Sequence, residues 1–126
     1  MKILSMVSTA YRATIEEQDD AALWLLLAMV KEGGTISLLL SGNAVNYALR
    51  RSALRAVKVP GLELTGVGLP QLEIQRALSM GVDCFCVAED VVQRGLDASL
   101  LWPGIQIIEQ AAVPELVEGF DAVWSW

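Results

Sequence analysis

The six residues Thr35-Ile36-Ser37-Leu38-Leu39-Leu40, set between Gly33-Gly34 and Ser41-Gly42-Asn43, constrain the fold more than any other stretch. A short, almost continuously apolar run bounded by turn residues is the pattern of a strand buried on both faces, as strands of a parallel sheet are. Parallel neighbours need long crossover connections, usually helical. The flanking sequence supplies them.

Residues 2–7 read as a second strand leading into the small polar loop Ser8-Thr9-Ala10. Residues 16–32 read as a helix, with carboxylates at its start, apolar residues in its middle and Gly33-Gly34 after its end. After the central strand, residues 43–57 place Val45, Ala48 and Leu49 at helical spacing and carry Arg50, Arg51 and Arg55, which with Lys58 form a basic cluster. That cluster reads as a solvated face or as a docking patch for an acidic partner. Residues 59–68 hold Pro60 and three glycines, so an irregular connection is expected there. Helical periodicity returns over 69–80 and stops at Gly81. Residues 82–87 form the next strand, 88–94 a short helix ended by Gly95, and Trp102-Pro103-Gly104 turns the chain into a strand at 105–109. A last helix begins near Pro114, which suits a first helical position, and ends around Gly119. Residues 121–126 close the pattern as a strand.

Five strands alternating with helices predict a single domain over residues 1–126, an α/β/α sandwich of three layers around a five-stranded, mainly parallel sheet. With 54% hydrophobic and only 19% charged residues, the chain carries more apolar surface than a monomer needs to bury, so an oligomer is expected, with copies of itself or with sister subunits. The net charge of −6 repels a phosphate backbone and argues against direct nucleic-acid binding. The longest apolar run, 21–30, is half of the about 20 residues that a membrane span needs, and predicts a buried helix instead. Residues 1–10, with one lysine and an apolar stretch broken by Ser5, do not make a secretory signal. A cytoplasmic protein with reduced thiols is the expectation, with no membrane partner.

The chain has no histidine. That removes the usual general base, the commonest metal ligand and every Cys/His or Ser/His pairing. Two cysteines cannot complete a four-ligand zinc site, so no metal is expected. The stretch "GLELTGVGLPQ" has glycines but lacks the strand–turn–helix setting of a dinucleotide loop, so no cofactor is expected either. Trp102, Trp124 and Trp126 read as packing or interface residues.

In open α/β sheets, ligands gather beyond the carboxyl ends of the strands. The loops that converge there span residues 8–12, 41–43 and 87–90. Cys86 ends its strand at that edge and is the candidate functional residue; Cys84 lies on the same face two residues deeper and is the weaker candidate. The following helix N-terminus favours a thiolate at Cys86, whereas Glu89 and Asp90 oppose one. A disulfide between the two is not expected, because residues i and i+2 of an extended strand lie near or beyond the usual Cα limit of about 6.8 Å. Burial as small apolar side chains is the alternative.

Taken in order, "MKILSMVSTAY", an apolar helix, "GTISLLLSGNAVNYAL", "GVDCFCVAEDVVQRGL" and "VEGFDAVWSW" resemble the DsrE/DsrF/DsrH (TusB/TusC/TusD) sulfur-relay family over nearly the whole chain. The segment "AEDVVQRGL" and the terminal "GFDAVWSW" are most similar to the DsrH/TusB branch. The resemblance implies a hetero-oligomer with DsrE- and DsrF-like subunits that passes persulfide sulfur between cysteines, exchanging it with a donor or acceptor protein, towards tRNA thiolation or sulfur oxidation. Cys86 would be the candidate sulfur carrier. In the DsrE/TusD branch the carrier lies eight residues before the glycine of the "RG" pair, a place that Val87 holds here. The other reading is a structural or binding subunit with no chemistry of its own.

Overall fold

A computed structural model describes residues 1–10, 20–50 and 69–126. Five strands form one sheet: β1 (Lys2–Val7), β2 (Thr35–Leu40), β3 (Cys84–Val87), β4 (Gln106–Ile108) and β5 (Ala122–Ser125). Their order is β4-β3-β2-β1-β5, and every pairing is parallel. The expected five-stranded α/β architecture is therefore present.

Handedness decides where the helices go. A strand–crossover–strand connection between parallel strands is right-handed in almost every protein. From β1 through β4 the chain advances across the sheet in one direction, so α1 (Ala21–Lys31), the 3₁₀ segment Gly42–Ala48, α2 (Leu69–Ser79) and α3 (Ala88–Gln93) all fall on one face. The step from β4 back to β5 reverses direction, and α4 (Val113–Glu118) lands on the other.

The strand registers sort the side chains accordingly. Ile3, Ser5 and Val7 of β1 align with Ile36, Leu38 and Leu40 of β2, and the last two with Cys84 and Cys86 of β3, all facing the helix-rich layer. Leu4, Leu39 and Val87 point the other way and are buried beneath α4. Six helical residues cannot seal five strands. Met6, Phe85 and Ile108 are only half-buried there, and Val123 is 39% exposed. Lys2 ties this layer at one end: its amide donates to the Asp121 carboxylate at 2.7 Å and its ammonium lies 5.5 Å from the Phe120 ring.

Several boundaries differ from the sequence reading. α1 starts at Ala21 rather than residue 16, because Asp20 caps it, accepting from the Ala22 amide at 2.9 Å; residues 16–19 lie outside the described residues. Its buried stripe is Ala22, Leu23, Leu26 and Leu27, while Trp24 is 59% exposed, so the apolar run is amphipathic in place rather than wholly buried. Where a helix was expected at 43–57, the described part is a 3₁₀ segment that ends at Ala48, and residues 51–57 lie outside the described residues. Leu49 turns extended and bridges antiparallel to Leu101, Arg50 donates its amide to Leu100 at 2.8 Å, and Trp102 donates to the Ala48 carbonyl at 2.9 Å. Pairing with a distant segment takes the backbone groups a continuing helix would use. Arg51, Arg55 and Lys58 of the basic cluster, and the connection at 59–68, lie outside the described residues. The third and fourth strands are shorter than expected, beginning at Cys84 and spanning Gln106–Ile108.

Asp20 also couples two elements of the helix-rich layer. It is buried, and the Tyr47 hydroxyl donates to its second oxygen at 2.8 Å, joining the start of α1 to the 3₁₀ segment. Asp20→Ala removes a helix cap and deprives a buried hydroxyl of its acceptor. We expect a loss of about 2–4 kcal/mol in urea unfolding. Tyr47→Phe should cost less, and the double variant should cost less than the sum, because the two side chains share one bond.

Candidate functional site

The carboxyl ends of β1, β2 and β3 lie side by side, and their loops are knitted together. Ser41 donates its amide to the Val7 carbonyl at 3.0 Å, tying the loop after β2 to the end of β1. On the far side of β1, Ser8 donates both its amide (3.1 Å) and its hydroxyl (3.0 Å) to the Trp126 carbonyl. Gly42 sits between these loops with φ of 54°, and a Cβ there would come within 3.1 Å of the Ser8 carbonyl oxygen, so a side chain is disfavoured on two grounds. From the other direction, the Asp90 carboxylate of α3 accepts the Gly42 amide at 2.9 Å. Arg94, one turn along α3, donates from Nε (3.0 Å) and Nη2 (2.9 Å) to the Asn43 side-chain oxygen and lies 3.6 Å from the Asp90 carboxylate.

Cys86 lies under this loop cluster. It pairs in register with Leu40, the last residue of β2, and one residue further on the 3₁₀ segment begins and packs its buried Ala44, Val45, Tyr47 and Ala48 into the same cluster of side chains. Cys84 is level with Leu38, roughly 6.6 Å further from the edge. Both are free thiols and fully buried. The topology thus brings Cys86 to the edge where ligands gather and packs the Gly42–Ala48 segment against its strand in the same buried cluster.

Burial sets the acidity of both thiols. Each is pushed up from 9.0 to about 12, first by loss of hydration around the thiolate, then by a neighbouring charge: Asp83 for Cys84, and Cys84 for Cys86. The sequence set the helix N-terminus against Glu89 and Asp90 at Cys86; burial, which neither describes, is the leading cause of the shift. Glu89 and Asp90 are engaged elsewhere, Glu89 with the Gln110 amide at 2.8 Å and Asp90 with Gly42 and Arg94. They act as backbone caps for adjacent loops. The acceptor role of Asp90 also fills, with the protein's own carboxylate, the backbone donor an anionic ligand would use at Gly42.

Sequence reasoning missed three of these residues. Asp20 precedes a long apolar run and carries an N-cap signature; the acidic residues before it drew the helix start too early. Asp90 and Arg94 have the i,i+4 spacing of a helix-surface pair, yet only the fold brings Asn43 to them across 51 positions in sequence. Among the described residues, no cluster of three or more cysteine or carboxylate side chains is placed to hold a metal ion, and no helix is long and apolar enough to cross a membrane.

An all-parallel sheet with its loops gathered over one carboxyl edge defines an open α/β protein, and solved structures share this arrangement from end to end. The ychN protein from E. coli superposes with a TM-score of 0.73 at 18% identity, covering 99% of this chain and 98% of its own. A conserved protein of unknown function from Bacteroides thetaiotaomicron gives 0.68 at 16% identity, covering 99% and 95%. A protein of unknown function from Methanobacterium thermoautotrophicum gives 0.58 at 14% identity, covering 98% and 97%. No family profile and no curated protein matches the sequence. What this chain shares with these proteins is the fold.

The raised thiols predict a pH dependence of stability. A thiol whose folded pKa lies above its unfolded value holds its proton in the native state while the unfolded chain loses it. Stability should therefore be insensitive to these groups below about pH 9 and fall as pH rises from 9 towards 12. Each thiol contributes a slope of up to about 1.4 kcal/mol per pH unit. Urea titrations of wild type, Cys84→Ala and Cys86→Ala between pH 8 and pH 11 should show each variant's curve flatter than wild type.

Proposed function

We propose that this chain is a component of a cytoplasmic sulfur-relay system, a DsrH/TusB-like subunit in which Cys86 is at most an accessory carrier of persulfide sulfur. One observation carries the reading: the chain places a thiol at the ligand-gathering edge of the sheet but keeps it fully buried with its pKa about 12. A thiol used at every encounter would need an accessible thiolate. A subunit that works mainly by assembling with carriers, and takes sulfur only when its loops open, fits this arrangement. The sequence resemblance supports the same assignment, and so does the fold shared with the ychN protein. The thinly covered face beneath α4, with Phe85 and Ile108 half-buried and Val123 exposed, suits contact with DsrE- and DsrF-like subunits.

The chemistry asked of Cys86 is thiol exchange. Its thiolate attacks the outer sulfur of a donor persulfide, the donor's S–S bond breaks, and the donor leaves as a thiolate while Cys86 becomes the persulfide. No oxidant is consumed, since the sulfane sulfur changes carrier without net electron transfer. A specific observation favours the alternative of a structural subunit without chemistry: both thiols are sealed in the core as small apolar side chains.

Incubation of wild type, Cys84→Ala and Cys86→Ala with a persulfide donor, read by intact mass, separates the two. We expect slow gain of one sulfur atom by wild type and Cys84→Ala, and none by Cys86→Ala. Equal gain by Cys86→Ala, or none by any variant with relay subunits present, would leave the structural role.

A further inference from the structure

The 3₁₀ segment that packs on the strand of Cys86 is held unevenly. At its far end the 3₁₀ segment Gly42–Ala48 is anchored through buried groups: Tyr47 to Asp20, Ala48 to the Trp102 amide, and the Asn46 carbonyl to the Gln71 side chain at 3.1 Å. Its beginning is held differently. Among the described residues, the hydrogen bonds there besides Ser41–Val7 come from α3 and its C-cap: Asp90 to the Gly42 amide and Arg94 to Asn43. Both α3 side chains are 25% exposed and Asn43 is exposed, so water can compete for these bonds. Of the segment's own i→i+3 bonds, Ala44 to Ser41 at 3.1 Å is of ordinary length and Leu49 to Asn46 at 3.3 Å is long. Gly42, at positive φ, is the one residue of the segment free to change its backbone conformation widely.

We propose that Asp90 and Arg94 form a latch that keeps the beginning of the Gly42–Ala48 segment closed over Cys86, and that release of the latch exposes Cys86 without exposing Cys84. The idea rests on the relay reading for its purpose: an opened latch would be the state that exchanges sulfur. Its geometry rests on the loops alone. Cys86 lies level with the end of β2, directly before the latched residues, while Cys84 lies two residues deeper beside Leu38. Local opening at the carboxyl edge therefore uncovers one thiol first, whereas global unfolding uncovers both. Within α3, Asp90 faces Gly42 and Arg94, and Glu89 faces Gln110, so a partner that draws either Asp90 or Arg94 away would release the segment from one side. An acidic group offered to Arg94 is the simplest such partner, because a guanidinium pairs with a carboxylate more strongly than with an amide oxygen.

The test is site-resolved alkylation. Wild type, Asp90→Ala and Asn43→Ala are exposed to iodoacetamide at pH 8, and Cys84 and Cys86 are followed separately by peptide mass. Asn43→Ala removes an exposed side chain and leaves α3 intact, which keeps the experiment decisive if Asp90→Ala folds poorly. We expect Cys86 to react about tenfold faster in both variants, Cys84 to keep its wild-type rate, and Val92→Ala, on the exposed side of the same helix, to match wild type. Equal acceleration of both cysteines, or none, would overturn the latch. Treating the same variants with glutathione persulfide separates the latch from the relay reading. If Cys86 alkylates faster but gains no sulfur, the latch stands and the carrier role falls. If wild type gains sulfur as fast as the variants, the carrier role stands and the latch falls.

Discussion

Parallel pairing of β2 with β1 on one side and β3 on the other is the interaction on which the remaining structure depends. It buries Ile36 through Leu40 on both faces and forces each connection to cross over the sheet with the same hand. Three helices and the 3₁₀ segment are thereby committed to one layer. The other layer is left to the return crossover from β4 to β5, and α4 has only six residues with which to fill it. The same pairing brings the ends of β1, β2 and β3 to one edge, so loops far apart in sequence share backbone hydrogen bonds.

That edge trades reactivity for packing. A strand-terminal cysteine followed by a short helix is a familiar way to obtain a reactive thiolate, since the helix N-terminus stabilises negative charge. Here the thiol is buried in the core that the 3₁₀ segment, α2 and α3 share, and loss of hydration raises its pKa rather than lowering it. The carboxylates of the helix's first turn, which sequence reading set against the thiolate, are used up as acceptors for Gly42 and Gln110. The protein has spent its polar groups on holding loops together.

The buried polar contacts have a common logic. Asp20 at the cap of α1, Tyr47 of the 3₁₀ segment, Gln71 of α2 and Trp102 of the loop before β4 come from four segments, and each bond joins two of them: Asp20 with Tyr47, the Gln71 side chain with the Asn46 carbonyl, and the Trp102 indole with the Gln71 carbonyl at 2.8 Å. Apolar packing alone specifies such contacts weakly, because Leu and Val tolerate sliding. Hydrogen bonds between buried groups do not.

Strand positions, helix order and the parallel sheet were legible in the sequence, because apolar periodicity and turn residues act locally and the crossover rule turns their order into topology. The site was legible only as a place: Cys86 lies one residue from the end of its strand, and the ends of such strands gather. Its chemistry was not. The burial of Cys86 comes from elements that meet only in the fold, among them a segment that leaves helical geometry at Leu49, which bridges Leu101, 52 positions away. The partners of Asp90 and Arg94 likewise come from across the sheet. Sequence determined which residues form strands and which thiol stands at the edge, since both follow from neighbours along the chain. Tertiary structure decided that the thiol is closed off and uncharged, since water exclusion and long-range hydrogen bonds exist only once distant segments have met.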